Sequence, residues 1–65
     1  MQESYKIPQD EMLIRDTVAS FKNKSNIGYA YSEYQAEEIV KRVKERYGKN
    51  LKAKKVDYYW KIKEI

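Results

Sequence analysis

The chain must build a folded domain from 65 residues that include neither cysteine nor histidine. A domain of this length buries only about 60% of the surface that its unfolded chain exposes, and many such domains add disulfides or a metal ion. Disulfides are excluded here, and structural zinc is not expected because its sulfur and imidazole ligands are missing. The seven Tyr, one Trp and one Phe favour the remaining route, efficient packing, because each carries a large apolar area.

One proline and two glycines divide the chain into three parts: Pro8, Gly28 and Gly48. The sequence contains no repeat, no low-complexity tract and no long linker. We therefore expect residues 1–65 to form a single small domain, within which residues 1–7 are flexible.

The first part of the chain predicts an amphipathic helix over residues 8–22. Pro8 suits the first turn of a helix, where its missing N–H would have no partner in any case. Ile14, Val18 and Phe21 then recur at the spacing that places side chains on one helix face. This face is expected to pack into the core.

The clearest pattern lies in the second part and predicts a helix over residues 33–47. Ser32, followed three residues later by Gln35, is a capping box, and Gly48 stands where a left-handed helix end is expected. The apolar stripe between these ends has the spacing of one helix face: Ala36, Ile39, Val40, Val43 and Tyr47. Acidic residues at the start and basic residues at the end complement the helix dipole.

The third part fits two patterns, and the first of them is a strand. Apolar or aromatic residues occupy every second position: Val56, Tyr58, Trp60 and Ile62. These residue types favour strands, and the alternation predicts a strand over residues 55–63. Residues 27–31 would supply a second strand, and the fold class would then be α+β.

The second pattern is helical, and the spacing across the second glycine favours it. A helix over residues 33–47, a short turn, and then Leu51 with Val56 five residues later resemble a helix-turn-helix. The resemblance covers residues 33–62 and implies a second helix, residues 51–63, that enters the major groove of duplex DNA. The expected fold class is therefore mainly α, a small three-helix bundle with this pair of helices at its C-terminal end. Three side chains of the recognition helix would turn inward: Val56, Tyr59 and Trp60.

Charge is distributed unevenly along the chain, whose net charge is +4. Residues 1–40 carry four basic and seven acidic side chains, a balance of −3, whereas residues 41–65 carry ten basic and three acidic, a balance of +7. A basic C-terminal third is typical of a protein that binds a polyanion, although a lysine-rich surface also serves solubility. Eleven Lys and only three Arg favour contacts to phosphate over sharp base readout, so useful specificity would require a homodimer.

These features predict a small basic protein that binds nucleic acid, with duplex DNA as the favoured partner. Its role would be that of a DNA-binding transcription regulator or an accessory factor. The candidate nucleic-acid-binding residues are Lys49, Lys52, Lys54, Lys55, Tyr58 and Lys61. Five tyrosines are candidates for stacking on unpaired bases: Tyr29, Tyr31, Tyr34, Tyr58 and Tyr59. The alternative is that these side chains serve only in packing. The alternative function is a protein-interaction module, an inhibitor or adaptor that docks a Tyr/Trp-rich face on a larger protein.

Catalysis is not expected, because without His or Cys the usual general base and the best nucleophile are missing. The two glycines are twenty residues apart, so they form no phosphate-binding loop. We expect no catalytic residue, no metal site and no cofactor. No run of apolar residues is long enough to span a bilayer, and the N-terminus does not resemble an export signal. The sequence therefore predicts a cytoplasmic protein with no membrane partner.

Overall fold

The computed structural model describes residues 9–22 and 26–65. Two helices and three strands follow one another as α1 (Gln9–Ser20), β1 (Ile27–Ala30), α2 (Glu33–Tyr47), β2 (Leu51–Val56) and β3 (Tyr59–Glu64). The strands form one sheet in the order β1-β3-β2, and β3 runs antiparallel to both of its neighbours. Strands β1 and β2 are therefore parallel to each other, and α2 is the crossover that connects them. Both helices pack on the same face of the sheet, so the molecule has two layers.

The fold is α+β, and the prediction of a mainly α three-helix bundle is wrong. Residues 51–63 form no recognition helix, because β2 and β3 occupy this part of the chain as a hairpin. A single strand at β1 would leave its backbone groups unpaired, and at least three strands are needed for an independently stable sheet. Pairing of β3 with both β1 and β2 supplies that sheet. The stability gained from this long-range pairing outweighs the local preference for a helix that the spacing of the apolar residues indicates.

The α+β alternative has the correct class but misplaces one feature of the hairpin. Strand β1 confirms the strand expected over residues 27–31, whereas the single strand expected over residues 55–63 is interrupted by a two-residue turn. That turn consists of Asp57 and Tyr58, and Asp57 adopts a positive φ of 53°. Aspartate is among the few residue types other than glycine that tolerate this conformation, and a positive φ is what a tight hairpin turn requires.

Helix α2 has the bounds that its sequence predicts, and its two ends explain why. The Ser32 side chain accepts a hydrogen bond from the backbone N–H of Gln35 at 3.2 Å. The Gln35 side chain reaches back as a capping box requires, although its Oε1 accepts from the N–H of Tyr31, at 2.8 Å, one residue before the cap. At the other end Gly48 has a φ of 69° and donates its N–H to the carbonyl of Lys44 at 3.0 Å.

Helix α1 falls within the residues 8–22 that were predicted as helical, while Pro8 and the expected flexible segment over residues 1–7 lie outside the described residues. Neither α1 nor α2 is long and apolar enough to cross a membrane, among the residues that the structure describes.

The core lies between the helices and one face of the sheet. It consists of nine buried hydrophobic residues. Ile14 and Val18 lie in α1 and Phe21 follows it; Ala36, Ile39 and Val43 lie in α2, and Ala30, Leu51 and Ile62 lie in the sheet. The predicted apolar faces of both helices are thereby confirmed, with Val40 and Tyr47 half-buried at the margin. Three inward positions of the supposed recognition helix are corrected: Val56 and Tyr59 lie half-buried on the other face of the sheet, and Trp60 is only partly buried against the core.

Candidate functional site

One face of the sheet is covered by the helices, and the other is not. Because side chains alternate along a strand, and Ile62 points into the core, the positions next to it in β3 point away from the helices. We call this second surface the open face. Its residues are Ile27 and Tyr29 in β1, Lys52, Lys54 and Val56 in β2, and Tyr59, Lys61 and Lys63 in β3.

Four lysines form a two-by-two block on the open face. Lys52 lies directly opposite Lys63, and Lys54 lies directly opposite Lys61. Neighbours across the strands have Cβ atoms about 5 Å apart, and neighbours along one strand are about 6.7 Å apart. These four side chains, which we call the lysine block, surround a shallow depression of about 170 Å³.

The lysine block lowers the stability of the sheet, so a contribution to folding does not explain why these four lysines lie together. Like charges directly opposite each other on neighbouring strands are destabilising. Lysines on an edge strand discourage unwanted strand pairing, which accounts for Lys52 and Lys54 in β2. Lys61 and Lys63 belong to the central strand, where no edge needs protection. Like charges placed together in a sheet, against the pattern that favours stability, are characteristic of a functional surface.

None of the strand residues that define the open face has an acidic side chain. Glu64 shares the orientation of Ile62 toward the helix layer, and Asp57 lies in the hairpin turn. The ion pairs found within residues 9–22 and 26–65 belong to Arg42 of α2, which bonds Glu11 of α1 at 2.8 Å and Glu38 of its own helix at 3.2 Å. The positive charge of the lysine block is therefore not balanced by carboxylates on its own surface.

Three tyrosine rings border the lysine block in contact with one another. The centroids of Tyr29 and Tyr59 are 5.8 Å apart with the rings inclined at 62°, and those of Tyr58 and Tyr59 are 6.1 Å apart at 74°. Both are edge-to-face contacts, the arrangement that aromatic pairs prefer. Tyr29 lies opposite Lys61 in the register of the sheet. We call these three residues the tyrosine row; at its two ends Tyr29 is 46% exposed and Tyr58 is 84% exposed.

Half of the predicted binding residues come together on the open face: Lys52, Lys54 and Lys61. The other three are not among the strand residues of this face, although the ring of Tyr58 contacts Tyr59 in the tyrosine row. Lys49 is half-buried and donates from its Nζ to the carbonyl oxygen of Phe21 at 2.6 Å, so it helps to hold the helix layer. Lys55 is exposed but shares the orientation of Trp60 toward the helix side, and Tyr58 lies in the turn.

Sequence reasoning left Lys63 out of the predicted site and treated Tyr29 and Tyr59 only as general stacking candidates. The signal that identifies Lys63 and Tyr59 is the alternation within β3, where Tyr59, Lys61 and Lys63 share one face. Tyr29 is identified only by the pairing of β1 with β3. Two other tyrosines were proposed for stacking. Tyr31 follows β1 and lines a hollow beside α1 together with Tyr29, and Tyr34 is in the first turn of α2.

A second concave surface lies on the helix side, between α2 and β2. This groove of about 330 Å³ is lined by Glu33, Ala36, Glu37, Val40, Lys41, Ala53 and Trp60. Its charged rim carries two carboxylates and one ammonium group, so it lacks the uniform charge of the open face. Trp60 and the tyrosine row therefore lie on opposite sides of the sheet.

The chemistry of the described residues offers no metal centre, since no three potential metal-ligating side chains cluster within residues 9–22 and 26–65. Comparison with protein-family models, with curated proteins and with solved structures finds no match to this chain.

Proposed function

We propose that the protein binds nucleic acid through the open face, with the lysine block on the phosphate backbone. The observation that carries this proposal is the two-by-two arrangement of Lys52, Lys54, Lys61 and Lys63 on neighbouring strands, with no carboxylate among the residues of that face. The recognition helix expected from the sequence has no part in it, since residues 51–63 form β2 and β3.

Binding to phosphates by lysine has a defined physical origin. A nucleic acid carries a dense layer of condensed counterions, and each ammonium group that neutralises a phosphate releases some of them. Affinity then falls linearly with the logarithm of the salt concentration, with a slope that counts the contacts. Four clustered ammonium groups on a flat surface suit this mode of binding, because lysine contacts phosphate as a point charge without strict geometry.

The test compares two variants that lose the same charge from opposite sides of the molecule. In Lys54→Gln/Lys61→Gln the two central lysines of the block are neutralised. In the control, Lys55→Gln/Lys41→Gln, the first residue is the strand neighbour of Lys54 on the helix side and the second is exposed on α2. Affinity for a labelled nucleic acid of mixed sequence is measured by fluorescence anisotropy at several salt concentrations, with anionic lipid vesicles as a second ligand.

We expect the open-face variant to bind at least about tenfold more weakly at 50 mM salt and to reduce the salt slope by about 1.4–1.8. The control variant is expected to retain most of the wild-type affinity and slope. Equal losses in the two variants would mean that net charge alone attracts the nucleic acid, and the proposed site would be wrong. No binding at low ionic strength, or tighter binding to the vesicles, would refute nucleic acid as the ligand.

A further inference from the structure

We infer that the nucleic acid on the open face is a single strand, whose unpaired bases stack on Tyr29 and Tyr58 while its phosphates contact the lysine block. This inference rests on the proposed function and adds the class of nucleic acid to it. It is carried by the position of the tyrosine row beside the lysines and by the exposure of its two outer rings.

The register of the sheet places an aromatic ring and two ammonium groups in one line across the strands. Tyr29 is opposite Lys61, and Lys61 is opposite Lys54, with steps of about 5 Å between neighbouring Cβ atoms. A nucleotide has its base and its phosphate on different sides of one sugar. A strand lying across this line therefore meets a stacking surface and a phosphate contact within one nucleotide.

Tyr59 holds the rings of the row in place. It contacts both Tyr29 and Tyr58 edge to face, and it is itself half-buried, whereas the two outer rings stay accessible. A ring that is already held by its neighbour loses little freedom when a base stacks on it. Such preorganisation favours binding by reducing its entropic cost. We therefore regard Tyr59 as a positioning residue and the two outer tyrosines as the stacking residues.

A duplex would leave these rings without a partner. The flat faces of paired bases are covered by the neighbouring pairs, so that only base edges are accessible in the grooves. Reading those edges calls for bidentate side chains such as arginine, and the residues of the open face include none. Unpaired bases, in contrast, stack on aromatic side chains regardless of sequence.

The experiment uses three probes that share a phosphate backbone: a 12-nucleotide DNA strand of mixed sequence, its duplex, and a strand of the same length without bases. We expect the wild-type protein to bind the single strand more tightly than either of the others. Tyr29→Leu is expected to weaken single-strand binding about 5- to 150-fold, the loss that corresponds to one base stack, and to leave binding of the abasic strand unchanged.

Two further variants make the result specific. Tyr29→Phe retains the ring and is expected to bind like wild type. Tyr34→Leu removes a tyrosine that is 54% exposed on α2, away from the open face, and is expected to have no effect. If Tyr29→Leu lowers the melting temperature, Tyr58→Leu provides the same test, because a ring that is 84% exposed contributes little to folding.

The outcomes separate this inference from the function on which it rests. Equal affinity for the single strand, the duplex and the abasic strand, unchanged by Tyr29→Leu and Tyr58→Leu, would overturn the single-strand inference. The result for Lys54→Gln/Lys61→Gln would then still support the lysine block as a phosphate-binding surface. Absence of binding to all three probes at low salt would instead refute the proposed function itself.

Discussion

Lys54 and Lys61 lie directly opposite each other on β2 and β3, at the centre of the open face. Two ammonium groups at neighbouring cross-strand positions repel each other in the free protein. An anion between them would relieve this repulsion. The pair is therefore expected to lower the stability of the free protein and to strengthen the binding of an anion. The two effects can be measured separately.

Replacing Lys54 with glutamate converts the repulsive pair with Lys61 into an attractive one. We expect Lys54→Glu to raise the free energy of unfolding by about 0.5–1 kcal/mol, as measured by urea denaturation at low salt, while nucleic-acid binding falls. The gain is expected to shrink at 1 M salt, where charges on the surface are screened within about 3 Å. Lys55→Glu, on the other face of the same strand, is the control. A stability unchanged by Lys54→Glu at low salt would show that the two lysines do not repel each other appreciably.

Gly28 is required where α1 packs against β1. A Cβ atom at this position would lie 2.8 Å from a ring carbon of Phe21 and 2.9 Å from the methyl carbon of Thr17. We expect Gly28→Ala to lower the free energy of unfolding by about 1–3 kcal/mol, because the added methyl group overpacks this contact. The measurement is thermal or urea denaturation followed by circular dichroism.

A double-mutant cycle identifies the cause of that loss. In a Phe21→Leu background the ring is gone, so Gly28→Ala is expected to cost less than in the wild type. An identical cost in both backgrounds would show that the loss does not arise from contact with the ring.

The two helices could be predicted from the sequence because their signals are local. The Ser32 cap, the Gly48 end and the apolar stripe between them all lie within the element that they define. The identity of residues 51–63 depends instead on pairing with β1, more than twenty residues earlier, and local periodicity does not contain that information. The hairpin turn was missed because it contains no glycine.

The candidate site was only partly predictable for the same reason. The excess of lysine after residue 40 is visible in the sequence, and it led to Lys52, Lys54 and Lys61. Which lysines share a surface depends on the hairpin register, which places Lys63 in the block and Lys55 on the opposite face. Tyr29 joins the site only through the pairing of β1 with β3.

The hairpin turn can be tested through the positive φ of Asp57. Asp57→Gly and Asp57→Ala both remove the carboxylate, but only glycine adopts the left-handed conformation without steric cost. We expect the glycine variant to be more stable than the alanine variant by about 0.5–1 kcal/mol, after allowance for the greater flexibility of glycine in the unfolded chain. Equal stability of the two variants would mean that the turn does not hold this backbone conformation.

The helix layer is joined by a bidentate ion pair whose strength depends on pH. The Arg42 guanidinium donates to both carboxylate oxygens of Glu11, at 2.8 and 3.2 Å. These hydrogen bonds hold the pKa of Glu11 below its usual value of 4.5, and the same contact raises the pKa of Arg42. The carboxyl group of Glu11 is therefore a better acid in the folded protein than in the unfolded chain.

The sign of the resulting pH dependence follows from that lowered pKa. Above pH 4.5 the ionised Glu11 stabilises the folded protein, and this contribution is lost as the pH falls from 4.5 through the lower folded-state value. We expect Glu11→Gln to lower the free energy of unfolding at pH 7, and the difference from wild type to shrink steadily below pH 4.5. Glu45→Gln, an exposed position on α2, gives the charge-matched control. Urea denaturation at pH 7, 5, 4 and 3 measures the difference, and a difference that stays constant down to pH 3 would contradict a role for the ionised carboxylate of Glu11.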